Sequence, residues 1–445
     1  MSFLPQLAFL VILGIASFIL VKRVKFLRRN ILLGKAEVRN DQPEKRWQTM
    51  ALVAFGQKKM FKRMLPAILH LMVYVGFIVI NLEVLEFVID GLAGTHRIFA
   101  PFLGSVYTLA MNIFEFLAVL VILACVVFLI RRNILKVPRF TKPEMKGWPA
   151  LDANVILLIE IVLMFAILKM NAADQILASR GVGHYIPVGT LLFSSLFSPI
   201  FDNFSSEFLI AVERIAWWFH IIGILAFAVY VTYSKHLHIF LAFPNTWYSN
   251  LKPKGEMPNM PEVTNEVNMM LGVPAEAPAD PPAEIGRFGA KDINDLSWIN
   301  VMNAYSCTEC GRCTAECPAN LTGKKLSPRK IMMDVRDRAE EAGKSLDTGG
   351  KGLEDGKSLL GDYISKEELN ACTSCNACVE ACPVNIDPLS IILQMRRYVA
   401  MEESGTPAQW NAMFQNMETS FAPWKFSPQD RFNWAERVKE QEIPD

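Results

Sequence analysis

Five stretches in the first half of this 445-residue chain are apolar for long enough to cross a bilayer, and no other feature restricts the fold as much. Backbone inside lipid has no water to bond, so a span must satisfy its own N–H and C=O groups, and runs of this kind form helices. The runs are Leu4 to Val21, Leu65 to Val88, Val106 to Ile130, Val155 to Met170 and Phe208 to Tyr233. A further apolar segment, Ile186 to Ile200, is short and has a proline near each end. It reads as an interfacial or re-entrant piece.

Loop charge sets the expected orientation. A cleaved signal peptide carries its positive charge before the apolar run. Here Lys22, Arg23, Lys25, Arg28 and Arg29 follow it, which predicts a retained first helix. The loop after the first run adds Lys35, Arg39, Lys45, Arg46, Lys58, Lys59, Lys62 and Arg63. The loop after the third holds Arg131, Arg132, Lys136, Arg139, Lys142 and Lys146. The opposite loops hold little beyond Arg97 and Arg180, with Lys169 at a helix end. Basic residues stay inside. The expectation is a multi-pass protein of a bacterial or archaeal cytoplasmic membrane, N-terminus outside and C-terminal half in the cytoplasm. The formal net charge is only +1, so the charge balance does not point to nucleic acid.

The second half reads as soluble protein. Residues 1–251 form the expected membrane domain, and 252–292 a proline-rich linker with Pro274, Pro278, Pro281 and Pro282, which suits a spacer. Residues 293–445 form the remaining domain. Eight of nine cysteines lie there in two runs: Cys307, Cys310, Cys313, Cys317 with Pro318, and Cys372, Cys375, Cys378, Cys382 with Pro383. Each run is C-x2-C-x2-C-x3-C-P, the spacing of bacterial dicluster ferredoxins. Three thiolates two residues apart wrap one [4Fe–4S] cubane, and the fourth reaches the other. The expected sets are therefore Cys307, Cys310, Cys313 and Cys382 for one cluster, and Cys372, Cys375, Cys378 and Cys317 for the other. Zinc sites use pairs of ligands instead, and a secreted disulfide scaffold scatters its cysteines. Neither a G-x-G-x-x-G nor a P-loop is present, so no nucleotide or flavin site is expected.

Between the runs lies a long insert, Ala319 to Ala371, in which 329–341 and 365–370 read as helices; 388–401 reads as another. The fold class expected is all-α: a five-helix transmembrane bundle followed by an all-helical dicluster ferredoxin domain. That domain resembles those of the succinate dehydrogenase and heterodisulfide reductase iron–sulfur subunits. The ninth cysteine, Cys125, sits in the third span and reads as packing.

The histidines are His70, His96, His184, His220, His236 and His238. Neutral imidazole is a common axial ligand of haem held between helices. His220 and His238 are 18 residues apart. On one continuous helix that is five turns, the same face, about 27 Å apart. His70, near the inner end of the second helix, would meet His238 at the inner end of the fifth. Glu83, Glu86, Glu115, Glu160 and Glu213 lie in or near spans, where carboxylates are candidates for quinone proton exchange.

The membrane half resembles the haem b subunit of respiratory nitrate reductases and of heterodisulfide reductase. The matching stretch is Tyr233-Ser234-Lys235-His236-Leu237-His238-Ile239-Phe240, with a histidine 18 residues before His238. In that family the second helix supplies two histidines ten residues apart; here they are His70 and Ile80. The resemblance thus implies one haem b on His70 and His238, with His220 left open as a ligand of a second. The soluble half is similar to heterodisulfide reductase-related iron–sulfur reductases in Ser306 to Pro318, in Leu326 to Lys330, and more loosely in Asn416 to Arg437. It implies electron transfer between the clusters, haem b and a membrane quinone, taken as menaquinone. The soluble partner implied is a separate CCG-domain iron–sulfur subunit or a flavoprotein such as an electron-transfer flavoprotein. The rival readings are a respiratory-oxidase assembly factor, which has no need of His70 and His238, and a membrane redox sensor, which should show no quinone reduction.

Overall fold

The computed structural model describes residues 3–273 and 287–439. Pro274, Pro278, Pro281 and Pro282 of the expected linker lie outside them. The chain divides into two compact units. One joins Met1–Asn259 to Asp292–Ser390, and the other joins Met260–Lys291 to Ile391–Asp445. Among the described residues there are helices and turns but no strands.

Five helices are long and apolar enough to span: α1 (Leu4–Ile31), α2 (Met64–Ala93), α3 (Ser105–Leu129, extended by a π turn Ile130–Ile134), α4 (Trp148–Ser179) and α5 (Ser206–Val231). The first four outrun their apolar runs, as helices that continue past the hydrocarbon would. At 1.5 Å per residue, α4 is about 48 Å long against a core of about 30 Å. The helices α2, α3, α4 and α5 pack side by side, and α1 lies against α2 and α5. The seam of α2, α3 and α4 holds Ile80, Leu117, Val121, Cys125 and Leu163. Cys125 is fully buried there, in the packing role expected of it. Outward-facing Leu7, Phe18, Leu82, Leu109 and Phe116 are exposed, as lipid contact requires. Residues 186–200 form no span: an irregular stretch leads into short turns Ser194–Phe197 and Ser198–Phe201.

The fifth helix ends earlier than expected. It stops at Val231, and the chain turns at Thr232 to Ser234. Ser234 is extended (φ −111°, ψ 159°), and its hydroxyl accepts from the His236 N–H at 3.0 Å, starting a 3-10 turn Lys235–Leu237. A new helix, α6 (His238–Trp247), follows. His238 therefore does not share a helix with His220, and the common-face argument fails. A serine that can cap the following backbone competes with continued helix.

The cysteine-bearing half is built on α7 (Trp298–Tyr305), α8 (Pro328–Asp347) and α9 (Pro388–Met401). The expected 365–370 helix is Lys366–Asn370, started by a capping box between Ser365 and Glu368. Inside what reads as linker, Pro261–Met270 is helical.

Residues 292–390 seat on the side of the bundle that carries the basic loops. Arg23 and Arg29 of α1 bond Glu340 (2.7 Å) and Asp347 (2.5 Å) on α8. Buried Asn30 donates to Tyr305 at 3.1 Å. Arg63 pairs with Glu316 at 2.7 Å, Lys142 donates to Asn320 at 3.1 Å, and Asn245 donates to the Val384 carbonyl at 2.7 Å. Just past α1, Lys35 gives and takes backbone bonds with Leu296 and Trp298 (2.7 and 3.0 Å). Gly34 allows that approach: a Cβ there would stand 2.6 Å from the Trp298 nitrogen.

Candidate redox centres

The two cysteine runs adopt the same loop conformation. The second residue after the first cysteine is left-handed in each, Glu309 (φ 54°) and Ser374 (φ 56°), as is the residue after the second cysteine, Gly311 (71°) and Asn376 (65°). Each loop then enters a short helix, Arg312–Ala315 or Ala377–Ala381, and these two helices pack together. Cys307, Cys310, Cys313 and Cys382 line one cavity with Gly311, Arg329 and Ile386. The fourth sulfur thus comes from the other run. Cys317 and Cys378 both lie within electrostatic reach of Cys372. Backbone N–H groups reach two of the sulfurs: Ile386 to Cys382 (3.3 Å) and Ser374 to Cys372 (3.4 Å). Burial pushes the Cys307 thiol up to about 12 and Cys382 up to about 11. A bound metal reverses that preference, because a coordinating thiol is deprotonated. The Cys307 donor set fits a cubane: four sulfurs, three from one run and the fourth from the other, line one space.

His70 and His238 face each other, ring centres 6.3 Å apart. Two imidazoles on opposite sides of one metal, at nitrogen distances of about 2.0–2.1 Å, have centres roughly 6 Å apart. Nδ1 of His238 donates to the Lys235 carbonyl at 3.1 Å, and Nδ1 of His70 meets the Gln57 side-chain oxygen at 3.1 Å. Both rings are held by Nδ1 and keep Nε2 for a metal, the usual arrangement of histidine ligands. The residues therefore fit an axially ligated haem. His236 packs against His238 at 5.4 Å, and burial pushes it down to about 3. His220 shares the ligand-like posture: Nδ1 donates to the Leu163 carbonyl at 3.1 Å, and buried Nε2 has no partner. The ring against it is Phe87, at 5.6 Å, with Ile80 in the core two turns away along α2.

A salt bridge joins the two centres. Glu309, inside the first cysteine loop, holds Lys235 Nζ and also Arg336 (2.8 Å). Burial opposes ionisation of Glu309, but Lys235 and Arg336 outweigh it and hold the carboxyl below its ordinary range. The Lys235 carbonyl is the group that orients His238. Sequence reasoning passed over Glu309, Lys235 and Gln57, because each gains its role from a partner distant along the chain.

The membrane carboxylates divide. Glu86 accepts from Tyr107 (2.6 Å) and the Phe99 N–H (3.0 Å). Glu115 accepts from Asn171 (3.1 Å) and from Phe193 and Ser194. Glu213 is held by Tyr185 and Arg214. Glu160 is half-buried. Glu83 is buried and keeps one oxygen without a partner. Beyond the far end of α2, His96 meets Asp174 at 2.8 Å and His184 at 5.2 Å, and buried Arg97 bonds Asp174 at 2.5 Å.

Comparison with known proteins agrees with this geometry. A 4Fe-4S dicluster domain model matches residues 306–386. The probable iron-sulfur-binding oxidoreductase FadF of Bacillus subtilis is 27% identical over 98% of the chain and 62% of its own length. The EtfAB:quinone oxidoreductase of Syntrophomonas wolfei is 26% identical over 91% of the chain and 56% of its own length. One polypeptide of the dihydromethanophenazine:CoB–CoM heterodisulfide reductase of Methanosarcina mazei is 26% identical over 32% of the chain and 35% of its own length. The chain thus spans about three fifths of the first two relatives. No solved structure matches it. The chain carries a 4Fe-4S dicluster domain behind five membrane-length helices, and its relatives are iron–sulfur oxidoreductases.

Proposed function

We propose that the chain is the membrane electron-transfer subunit of a quinone-linked oxidoreductase, working between a cytoplasmic redox partner and menaquinone. The observation that carries this reading is the joining of the Cys307 cavity to the His70–His238 pair through Glu309 and Lys235. Two cubanes and a haem b supply one-electron steps when bound. Cys307, Cys310, Cys313 and Cys382 hold one cluster, and Cys372, Cys375, Cys378 and Cys317 the other. His70 and His238 ligate the haem, and His220 is the residue available to a second. The loop charges support an N-terminus outside and residues 293–445 in the cytoplasm.

Cys375 is exposed, which makes the Cys372 set the side on which a soluble partner docks. A CCG-domain subunit fits that position, and so does an electron-transfer flavoprotein, in line with the name of the EtfAB:quinone oxidoreductase. Glu83, buried with a free carboxyl oxygen, is the residue best suited to exchange a proton with the quinone.

The test is anaerobic purification with iron, sulfide and pyridine haemochrome assays. The expected result is about eight cluster irons per chain, after subtracting haem iron. About four would leave one cysteine set empty and overturn the dicluster assignment.

A further inference from the structure

Arg329 lines the Cys307 cavity, Arg312 lies between its lining residues Gly311 and Cys313, and Arg139 touches Gly311 through its Cβ and carbonyl. Each keeps a buried N–H without a hydrogen-bond partner: Nε of Arg139, Nη2 of Arg312 and Nε of Arg329. They come from separate parts of the chain. Arg139 lies in the loop between α3 and α4, Arg312 inside the first cysteine run, and Arg329 in the first turn of α8. Arg329 is fully buried and lines the cavity itself. Gly311, also on the cavity wall, is in contact with two of them: a Cβ there would collide with Arg329 Nη1 and stand 3.3 Å from Arg139 Cβ.

Both Nη groups of Arg329 and Nη1 of Arg312 are engaged. Arg329 Nη1 donates to the Arg139 carbonyl (2.6 Å) and Nη2 to Glu144 (2.7 Å). Arg312 Nη1 reaches the carbonyls of Lys59 and Met60, both at 3.3 Å. The nearby carboxylate of Glu309 is turned to Lys235 and Arg336. Lys59 points its ammonium at Asn385 and the Val379 carbonyl. Among the described residues one more arginine has such a buried N–H, Arg29, and it sits against Asp347 and Gly343 at the end of α8.

A buried charged donor left unpaired is costly. Three of them around one cavity call for an acceptor there, and the sulfurs of an anionic cluster are acceptors. We propose that Arg139, Arg312 and Arg329 donate N–H···S hydrogen bonds to the cluster of the Cys307 cavity and raise its reduction potential above that of its neighbour. Donors to sulfur and nearby positive charge both favour the more negative, reduced state. The arginines thereby set the direction of transfer. One electron leaves the Cys372-side cluster, which is oxidised, and enters the Cys307-side cluster, which is reduced. The guanidinium protons stay on nitrogen, and no bond forms or breaks. The upstream reductant is a soluble one-electron donor of the reduced-flavin class. This inference rests on the dicluster reading above.

The test is an EPR-monitored redox titration of the anaerobically purified full chain: wild type, Arg139→Gln, Arg329→Gln and Arg329→Lys. Iron, sulfide and haem are measured on each. In the glutamine variants one cluster should bind its electron about tenfold more weakly, a drop of about 59 mV for a one-electron couple. The other cluster and the haem should stay put. Arg329→Lys keeps the charge but loses the fork, and should shift the same cluster by less. Arg139 lies outside the cysteine-bearing segment, so its variant serves if the Arg329 variants fail to load. No shift in Arg139→Gln, or equal shifts in both clusters, overturns the proposal. About four cluster irons in wild type would instead remove the dicluster reading beneath it.

Discussion

His70 and His238 each spend one ring nitrogen on a protein oxygen and keep the other. That division turns a buried imidazole from a cost into a ligand. The account predicts that His70→Ala and His238→Ala abolish haem b, read by pyridine haemochrome, while His220→Ala keeps it. Full haem in His238→Ala would make His220 the better partner of His70. A second prediction concerns Arg338, which is fully buried and held by Asp292 (2.8 Å) and Asp355 (2.7 Å). Arg338→Ala strands buried Asp292 and should cost about 3–5 kcal/mol. Thermal unfolding with cluster loss measures it. At this scale the dicluster domain was readable because the spacing of its two cysteine runs along the chain is itself the chemistry. The orienting groups Gln57, Lys235 and Glu309 were not, since nothing local distinguishes them from other polar residues.

The elements are legible where their cause is local. The apolar runs are the five spans. Ser365 and Glu368 start their short helix by a capping box, and Pro388 opens α9 where the sequence placed it. The break between α5 and α6 was missed because one helix was taken to continue past Tyr233 as far as His238; the signal is Ser234, whose hydroxyl caps the His236 N–H. Ser234→Ala should therefore loosen the Lys235–His238 turn by about 1 kcal/mol. It should also lower haem occupancy while cluster iron is retained. Unchanged haem content would show that the cap does not position His238. Gly34 gives a sharper test of docking, because the atoms that would meet its Cβ are backbone and cannot swing aside. Gly34→Ala should break the Lys35 bonds to Leu296 and Trp298, and faster proteolysis near residue 34 would register it.

Over the whole molecule, the basic loops form the surface on which residues 292–390 sit, so one charge pattern serves both orientation and docking. The cytoplasmic placement proposed for them predicts that a reporter fused after Asp445 is active only inside the cell. The central claim is that electrons pass between the clusters and quinone by way of the His70–His238 haem. The direct measurement is stopped-flow absorbance of the dithionite-reduced, anaerobic full chain mixed with menadione, for wild type and His70→Ala. In wild type the haem and cluster bands should reoxidise together, and in His70→Ala, with its clusters intact, cluster reoxidation should slow at least tenfold. Clusters that reoxidise equally fast without the haem would contradict the account.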